Sequence, residues 1–129
     1  MNKLAICALF LLLSPALAGE PASEIRDSGF TGGIVVQVGS GDLALRTLGE
    51  RFHVRLLLHD ATAVDNALRA IQEARLAGRF TADAWPGGRL PFARRTVTAL
   101  VLPEPTEVSR QEAERVLMPR GLLITPEGT

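Results

Sequence analysis

Ile34-Val35-Val36-Gln37-Val38-Gly39-Ser40-Gly41-Asp42 is an apolar, largely β-branched run that stops at a Gly-x-Gly turn. Such a run suits a strand buried on both faces of a parallel sheet. The turn suits a backbone that must pass close to a ligand, because glycine brings φ freedom and no Cβ. A lone Gly-x-Gly also ends strands that bind nothing, so its surroundings decide what it means. In context it reads as the first strand and phosphate-side turn of a nucleotide-binding α/β domain.

Downstream, apolar runs and helical patterns alternate. Asp42 is placed to cap a helix whose apolar stripe is Leu45 and Leu48, ending near Gly49. A second strand spans Val54 to Leu58 and ends in His59-Asp60. Thr62 is then expected to cap a longer helix in which Val64, Ala67, Leu68, Ile71 and Ala74 recur at helical spacing, closed by Gly78. Arg79 to Ala84 forms the third strand and leads into Trp85-Pro86-Gly87-Gly88-Arg89-Leu90-Pro91-Phe92, a loop by composition. Val97 to Leu102 is the fourth strand, stopped by Pro103-Glu104-Pro105. Ser109 and Glu112 form a capping box for a last helix lined by Ala113, Val116 and Leu117. Pro119-Arg120-Gly121 is expected to break that helix and release a final strand, Leu122 to Thr125. This alternation, with connections so short, predicts right-handed crossovers and a mostly parallel sheet.

Upstream, Lys3, the apolar run Leu4 to Leu13, the breaker Ser14-Pro15 and the small-x-small site Ala16-Leu17-Ala18 form a tripartite export signal. The apolar run is about half of the roughly 20 residues that a membrane span needs. The expected organisation is therefore a signal peptide over 1–18 and one domain over 19–129, periplasmic or extracellular, with no membrane attachment after cleavage. Pro21-Ala22-Ser23-Glu24 opens one helical turn that packs by Ile25. Cys7 lies inside the signal, so the mature chain has no cysteine and forms no disulfide. Without Lys3 the chain carries 13 Arg against 14 Asp and Glu, a net charge of −1, which offers no basic footprint for nucleic acid.

Three landmarks carry a resemblance: Val35-Val36-Gln37-Val38-Gly39-Ser40-Gly41, the loop from Asp83 through Trp85 to Phe92, and Glu114-Arg115-Val116-Leu117-Met118-Pro119-Arg120-Gly121. In this order and separation the chain resembles the class I S-adenosylmethionine-dependent methyltransferases, whose "RVL-x-PGG" turn the last landmark is like. It is closer still to the exported methyltransferase-like domain at the front of certain proteins with pyrroloquinoline-quinone-type β-propellers. That likeness rests on the signal, on Phe30-Thr31-Gly32-Gly33-Ile34-Val35-Val36, and on Asp83-x-Trp85-x-Gly87-x-Arg89-Leu90-Pro91-Phe92. Here the chain stops at Thr129 with no propeller and no final β-hairpin, as a free-standing version or as a fragment.

The resemblance implies a Rossmann-like three-layer αβα sandwich with strand order 3-2-1-4-5 and S-adenosylmethionine above the carboxyl ends of the strands. Gly39, Ser40 and Gly41 would approach the amino-acid and ribose portion of the cofactor. His59 stands where these enzymes carry the ribose-binding acid, with Asp60 one place late. Asp83 matches the acid near the adenine, with Ala84 and Trp85 beside it, and Pro103-Glu104 stand where the fourth strand opens onto a small-molecule acceptor. Glu104 and Asp83 are the only candidates for a base, and methyl transfer needs alignment more than it needs one.

The departures fall at the cofactor-facing positions: Gln37 for an acid, Leu43 for a third glycine, His59 for the ribose carboxylate, Arg120 for a glycine. A carboxylate accepts two charge-assisted hydrogen bonds from a vicinal diol, whereas neutral imidazole offers one acceptor and one donor. Two lost acids weaken cofactor binding roughly a hundredfold. Two functions follow: a methyltransferase-like domain of weak or lost activity, and a non-catalytic exported module that keeps the fold for its shape and docks a propeller or redox partner. A nicotinamide-dependent dehydrogenase fits less well, since the glycine pattern lacks its third member. Plainer roles stand beside each residue: Asp42 as a cap, Trp85 as cover for the sheet edge, His53 and His59 as ordinary strand-end and loop histidines.

Overall fold

Apolar runs that alternate with shorter polar connections have one economical solution, a central sheet with both faces covered. The computed structural model describes residues 21–102 and 108–125. Its strands are β1 (Gly33–Val38), β2 (Phe52–Leu58), β3 (Phe80–Ala84), β4 (Val97–Val101) and β5 (Leu117–Ile124). They lie in the order β3-β2-β1-β4-β5, every pair parallel. This is the 3-2-1-4-5 order that the resemblance implies.

Both faces of the central strands are dry. Val35, Leu56, Ile71 and Ala99 belong to an apolar cluster under α1 (Pro21–Asp27) and α2 (Ala61–Glu73). Val36, Leu57, Trp85 and Leu100 belong to a second cluster, under α3 (Arg110–Val116) and the segment after β3. Alternate residues of one strand feed opposite clusters, which is why β1 and β2 read as largely apolar runs, interrupted only by Gln37 in β1 and by His53 and Arg55 in β2. The first helix is longer than one turn, and its Ile25 is fully buried.

Several local expectations are corrected. The segment after the glycine turn is a four-residue 3-10 helix, Ala44–Thr47, with Leu43 rather than Asp42 at its N-cap. Leu45 and Leu48 are both buried and three apart, a spacing that a 3-10 turn satisfies, and only seven residues separate Gly41 from Gly49. Asp42 still accepts from the Ala44 N–H at 3.0 Å, as part of the turn. The N-cap of α2 is Asp60, whose Oδ1 accepts from the Ala63 N–H at 2.8 Å, and Thr62 lies inside the helix. At the other end α3 stops at Val116 and β5 begins at once with Leu117, so Pro119-Arg120-Gly121 does not end a helix. Those residues form an irregularity within β5: Val97 pairs with Leu117 but Ala99 with Leu122.

The stop of α2 is not at Gly78. Arg75 adopts φ +62°, its N–H bonds the Gln72 carbonyl at 3.0 Å, and the Leu76 N–H bonds the Ile71 carbonyl at 2.9 Å. This is a Schellman closure with arginine where glycine is favoured, locked by the buried Leu76. An arginine held in the left-handed region is strained by about 1 kcal/mol, part of which glycine gives back as unfolded-state entropy. Arg75→Gly is therefore expected to raise stability by about 0.5 kcal/mol, read as a higher urea midpoint at unchanged slope. A lower midpoint would contradict the assigned closure.

Candidate functional site

In a parallel sheet of this order the loops at the carboxyl ends of the strands converge where the order reverses, beside β1. Registry places the loops in one row. Val38 pairs with Leu57 and Leu57 with Asp83, while Leu58 pairs with Ala84. The ladder continues past the strand ends, the Gly39 N–H donating to the Leu57 carbonyl at 2.8 Å and the Trp85 N–H to the Leu58 carbonyl at 2.7 Å. Gly39, Ser40, Gly41, His59, Asp60, Asp83, Ala84 and Trp85 therefore share one edge. Gln37 pairs with Val101, which brings the end of β4 to the same edge. Pro103 and Glu104, like residues 1–18, over which an export signal is expected, lie outside the described residues.

The glycine turn is shaped from below by Gln37, a buried amide at the end of β1. Its Nε2 donates to the carbonyls of Ser40, at 2.8 Å, and Asp42, at 3.2 Å. A carboxylate has no proton to donate, so the departure at residue 37 matches a turn whose carbonyls face inward. Gly39 adopts φ +90° at the exposed start of the turn. Gly41 lies over α2 and the end of β2: a Cβ there would sit 3.4 Å from the Ala67 Cβ and 3.7 Å from Leu58 Cδ1. Ser40 Oγ and Asp42 Oδ2 are 3.0 Å apart, and the Asp42 N–H donates to Ser40 Oγ at 3.2 Å.

The carboxylates at the edge are in internal bonds. Asp60 caps α2, as above, beside an exposed His59. Asp83 Oδ2 accepts from Arg55 Nη2 at 2.8 Å, and the Arg55 guanidinium lies over the Phe92 ring, 5.4 Å from its centre. Trp85 is 4% exposed, packed in the second cluster, with its indole N–H donating to the Arg89 carbonyl at 3.1 Å. Ala84 is exposed at the end of β3.

Three residues that sequence reasoning missed, or gave another role, shape this edge. Arg55 is the single charge inside the apolar run of β2, and a charge so placed calls for a partner. Glu112, read as half of a capping box, does not reach back to Ser109, although Ser109 Oγ does accept from the Glu112 N–H at 3.0 Å. Instead its Oε2 accepts from the Leu90 N–H at 2.6 Å and from Arg115 Nη2 at 2.5 Å. Arg115 donates on to the carbonyls of Phe92, at 3.0 Å, and Leu90, at 3.1 Å. The pair clamps the segment after β3 onto α3. Hydrogen bonding from Arg115 dominates over the burial that opposes it, and with the Leu90 N–H it lowers the Glu112 carboxyl from its ordinary 4.5 to about 2. Among the described residues, no group of three or more His, Cys, Asp or Glu side chains is placed to hold a metal ion.

No protein-family model matches the chain, and no curated protein does. Solved structures do. The chain is similar to a Methanococcus maripaludis protein assigned as an S-adenosyl-L-methionine-dependent methyltransferase (TM-score 0.67, 22% identity, 86% of this chain and 54% of that one). It is also similar to geranyl diphosphate C-methyltransferase from Streptomyces coelicolor A3(2), solved with Mg2+, geranyl diphosphate and S-adenosyl-L-homocysteine (TM-score 0.65, 23% identity, 81% and 44%). A third is a SAM-dependent methyltransferase from Aquifex aeolicus (TM-score 0.61, 15% identity, 82% and 63%). The chain has the Rossmann-like fold of class I methyltransferases, and it spans about half the length of the first two of these structures.

Proposed function

We propose that the chain is an S-adenosylmethionine-dependent methyltransferase-like domain that holds its cofactor weakly, has little or no transferase activity, and works outside the cytoplasm as a binding module. The observation that carries this reading is the state of the carboxyl edge. The loops of β1, β2 and β3 meet there in one row, while Asp60 caps a helix and Asp83 pairs with Arg55.

The group fits at the glycine turn and at the end of β2, where Gly39 and His59 are exposed. S-adenosylmethionine, when bound, supplies an electrophilic methyl group. Gly39, Ser40 and Gly41 would hold its amino-acid and ribose portion, and His59 and Asp60 the ribose hydroxyls, with Asp60 sharing its carboxylate with the Ala63 N–H. Asp83 would reach the adenine only in competition with Arg55, and Trp85 would stay in the cover. The export signal over residues 1–18 points the same way, since S-adenosylmethionine is made in the cytoplasm. A quinoprotein-type β-propeller, or a redox protein beside it, is the partner that the resemblance suggests.

Calorimetric titration of the mature chain with S-adenosylmethionine and S-adenosylhomocysteine tests the reading. Binding is expected near the millimolar range, roughly a hundredfold short of a micromolar site, and His59→Asp is expected to tighten it about tenfold. Micromolar binding by the natural protein would overturn the weak-site reading. Absence of binding by both proteins would remove the cofactor assignment.

A further inference from the structure

The amino ends of the strands, opposite the edge described above, gather arginine. Arg51 precedes β2, its carbonyl accepting from the Gly33 N–H at 3.1 Å, and Arg79 precedes β3, its carbonyl accepting from the Val54 N–H at 2.8 Å. Arg94 and Arg95 precede β4, and Arg120 lies in the irregularity of β5, between the partners of Val97 and Ala99. Arg75 follows α2, which runs from the end of β2 back to the start of β3. With neighbouring strands about 4.8 Å apart, the row from β3 to β5 is about 19 Å long. Arg79 serves the fold, since its Nη2 donates to the carbonyls of Leu48, at 2.7 Å, and Gly49, at 3.2 Å. Arg51, Arg75, Arg94, Arg95 and Arg120 are exposed, and among the described residues none of these five is ion-paired or hydrogen-bonded through its side chain.

Three of the five stand where the backbone suits glycine. Arg75, Arg95 and Arg120 have φ of +62°, +63° and +68°, and among the described residues no other non-glycine residue has a positive φ. An L residue is strained there and glycine is not. No side-chain contact within the fold offsets that strain. Strain held at three arginines on one end of the molecule marks their guanidinium groups as the feature retained.

We infer that the amino end of the sheet docks an acidic protein surface. Arginine forks match carboxylates in a bidentate, charge-assisted way. A row this long exceeds any one small anion, so the partner is a macromolecule. Asp27, Glu50 and Glu73, all exposed, flank the starts of β1 and β2 and the end of α2. They repel a polymer or a membrane of uniform negative charge, whereas a protein can set basic side chains of its own against them. This face lies at the far end of the strands from the glycine turn, so the inference holds whether or not S-adenosylmethionine binds.

Fluorescence anisotropy with a labelled peptide of eight Glu-Gly repeats tests it. The natural protein is expected to bind with a Kd below about 100 μM at about 20 mM salt, weakening about tenfold at about 200 mM. The triple variant Arg75→Gly, Arg95→Gly, Arg120→Gly is expected to bind at least tenfold more weakly and yet to show a higher urea midpoint. Removing three charges elsewhere, with Arg69→Gln, Arg89→Gln and Arg110→Gln, is expected to change binding by less than about threefold. Failure of the natural protein to bind the peptide below about 1 mM would overturn the inference. So would equal losses in the two triple variants, which would assign the effect to net charge, or a lower urea midpoint for the glycine variant, which would assign the arginines to the fold. Binding to vesicles containing phosphatidylglycerol more tightly than to the peptide would overturn the choice of a protein partner.

Discussion

Gly33→Ala is expected to cost about 3–5 kcal/mol, most of the stability of a domain this small, and to lower its melting temperature by more than about 15 °C. Gly33 opens β1 at φ +133°, where L residues are rarely found. A Cβ built there would lie 2.0 Å from Thr98 Oγ1 and 3.0 Å from Thr98 Cβ. Thr98 is 3% exposed and stands at the register irregularity between β4 and β5, with its hydroxyl 3.5 Å from Met118 Sδ. It has no open space to retreat into. Backbone strain and steric overlap thus add at one residue, and the second can be isolated. In a Thr98→Ala background the hydroxyl is gone, so the cost of Gly33→Ala is expected to fall by about 1–2 kcal/mol in urea titration. An equal cost in both backgrounds would show that Thr98 is not the obstacle, and a cost below about 1 kcal/mol would remove the close approach altogether.

Gly33 also shows which parts of this molecule the sequence makes legible. β1, β2 and β4 are largely apolar because most of their residues on both faces are buried, and that signature needs no knowledge of partners. Strand order was legible only through the family resemblance, whereas the shared edge of Gly39, His59 and Asp83 follows from that order. What the edge residues do there was not legible. The Arg55–Asp83 pair joins residues 28 apart, on strands whose registry no local pattern reveals. Gln37 looked like a lost acid, but its value lies in donating to carbonyls that become neighbours only once the turn forms. Leu45 and Leu48 suit one face of either helix type, and the shortness of the segment decided for 3-10. The displaced cap is a subtler case: Asp60 and Thr62 are both good N-caps, and the end of β2 at Leu58 favours the nearer.

The second large effect belongs to Glu112, whose substitution tests whether the segment after β3 is held in place by a partly buried pair. Its side chain and that of Arg115 are 16% and 15% exposed. Glu112→Ala leaves the Leu90 N–H and the Arg115 guanidinium without their acceptor in a partly dry site, at an expected cost of about 2–3 kcal/mol in urea titration. The comparison is Arg110–Glu114 on the same helix, a 3.2 Å pair that is 86% and 66% exposed. Glu114→Ala is expected to change stability by less than about 0.5 kcal/mol, because solvent already screens that pair. Acid supplies an independent check. The folded Glu112 carboxyl is lowered from 4.5 to about 2, so between these values the unfolded chain binds the proton and the folded one does not. Its contribution is complete above about pH 5, declines as the pH falls, and is gone below about 2. Glu112→Gln keeps the shape of the side chain but cannot titrate, so the stability gap between it and the natural protein is expected to narrow steadily over that window. A gap that stayed constant from pH 6 to about pH 2.5 would mean that the charge of Glu112 does not hold the segment, and the clamp would reduce to packing of Leu90 and Phe92 against α3.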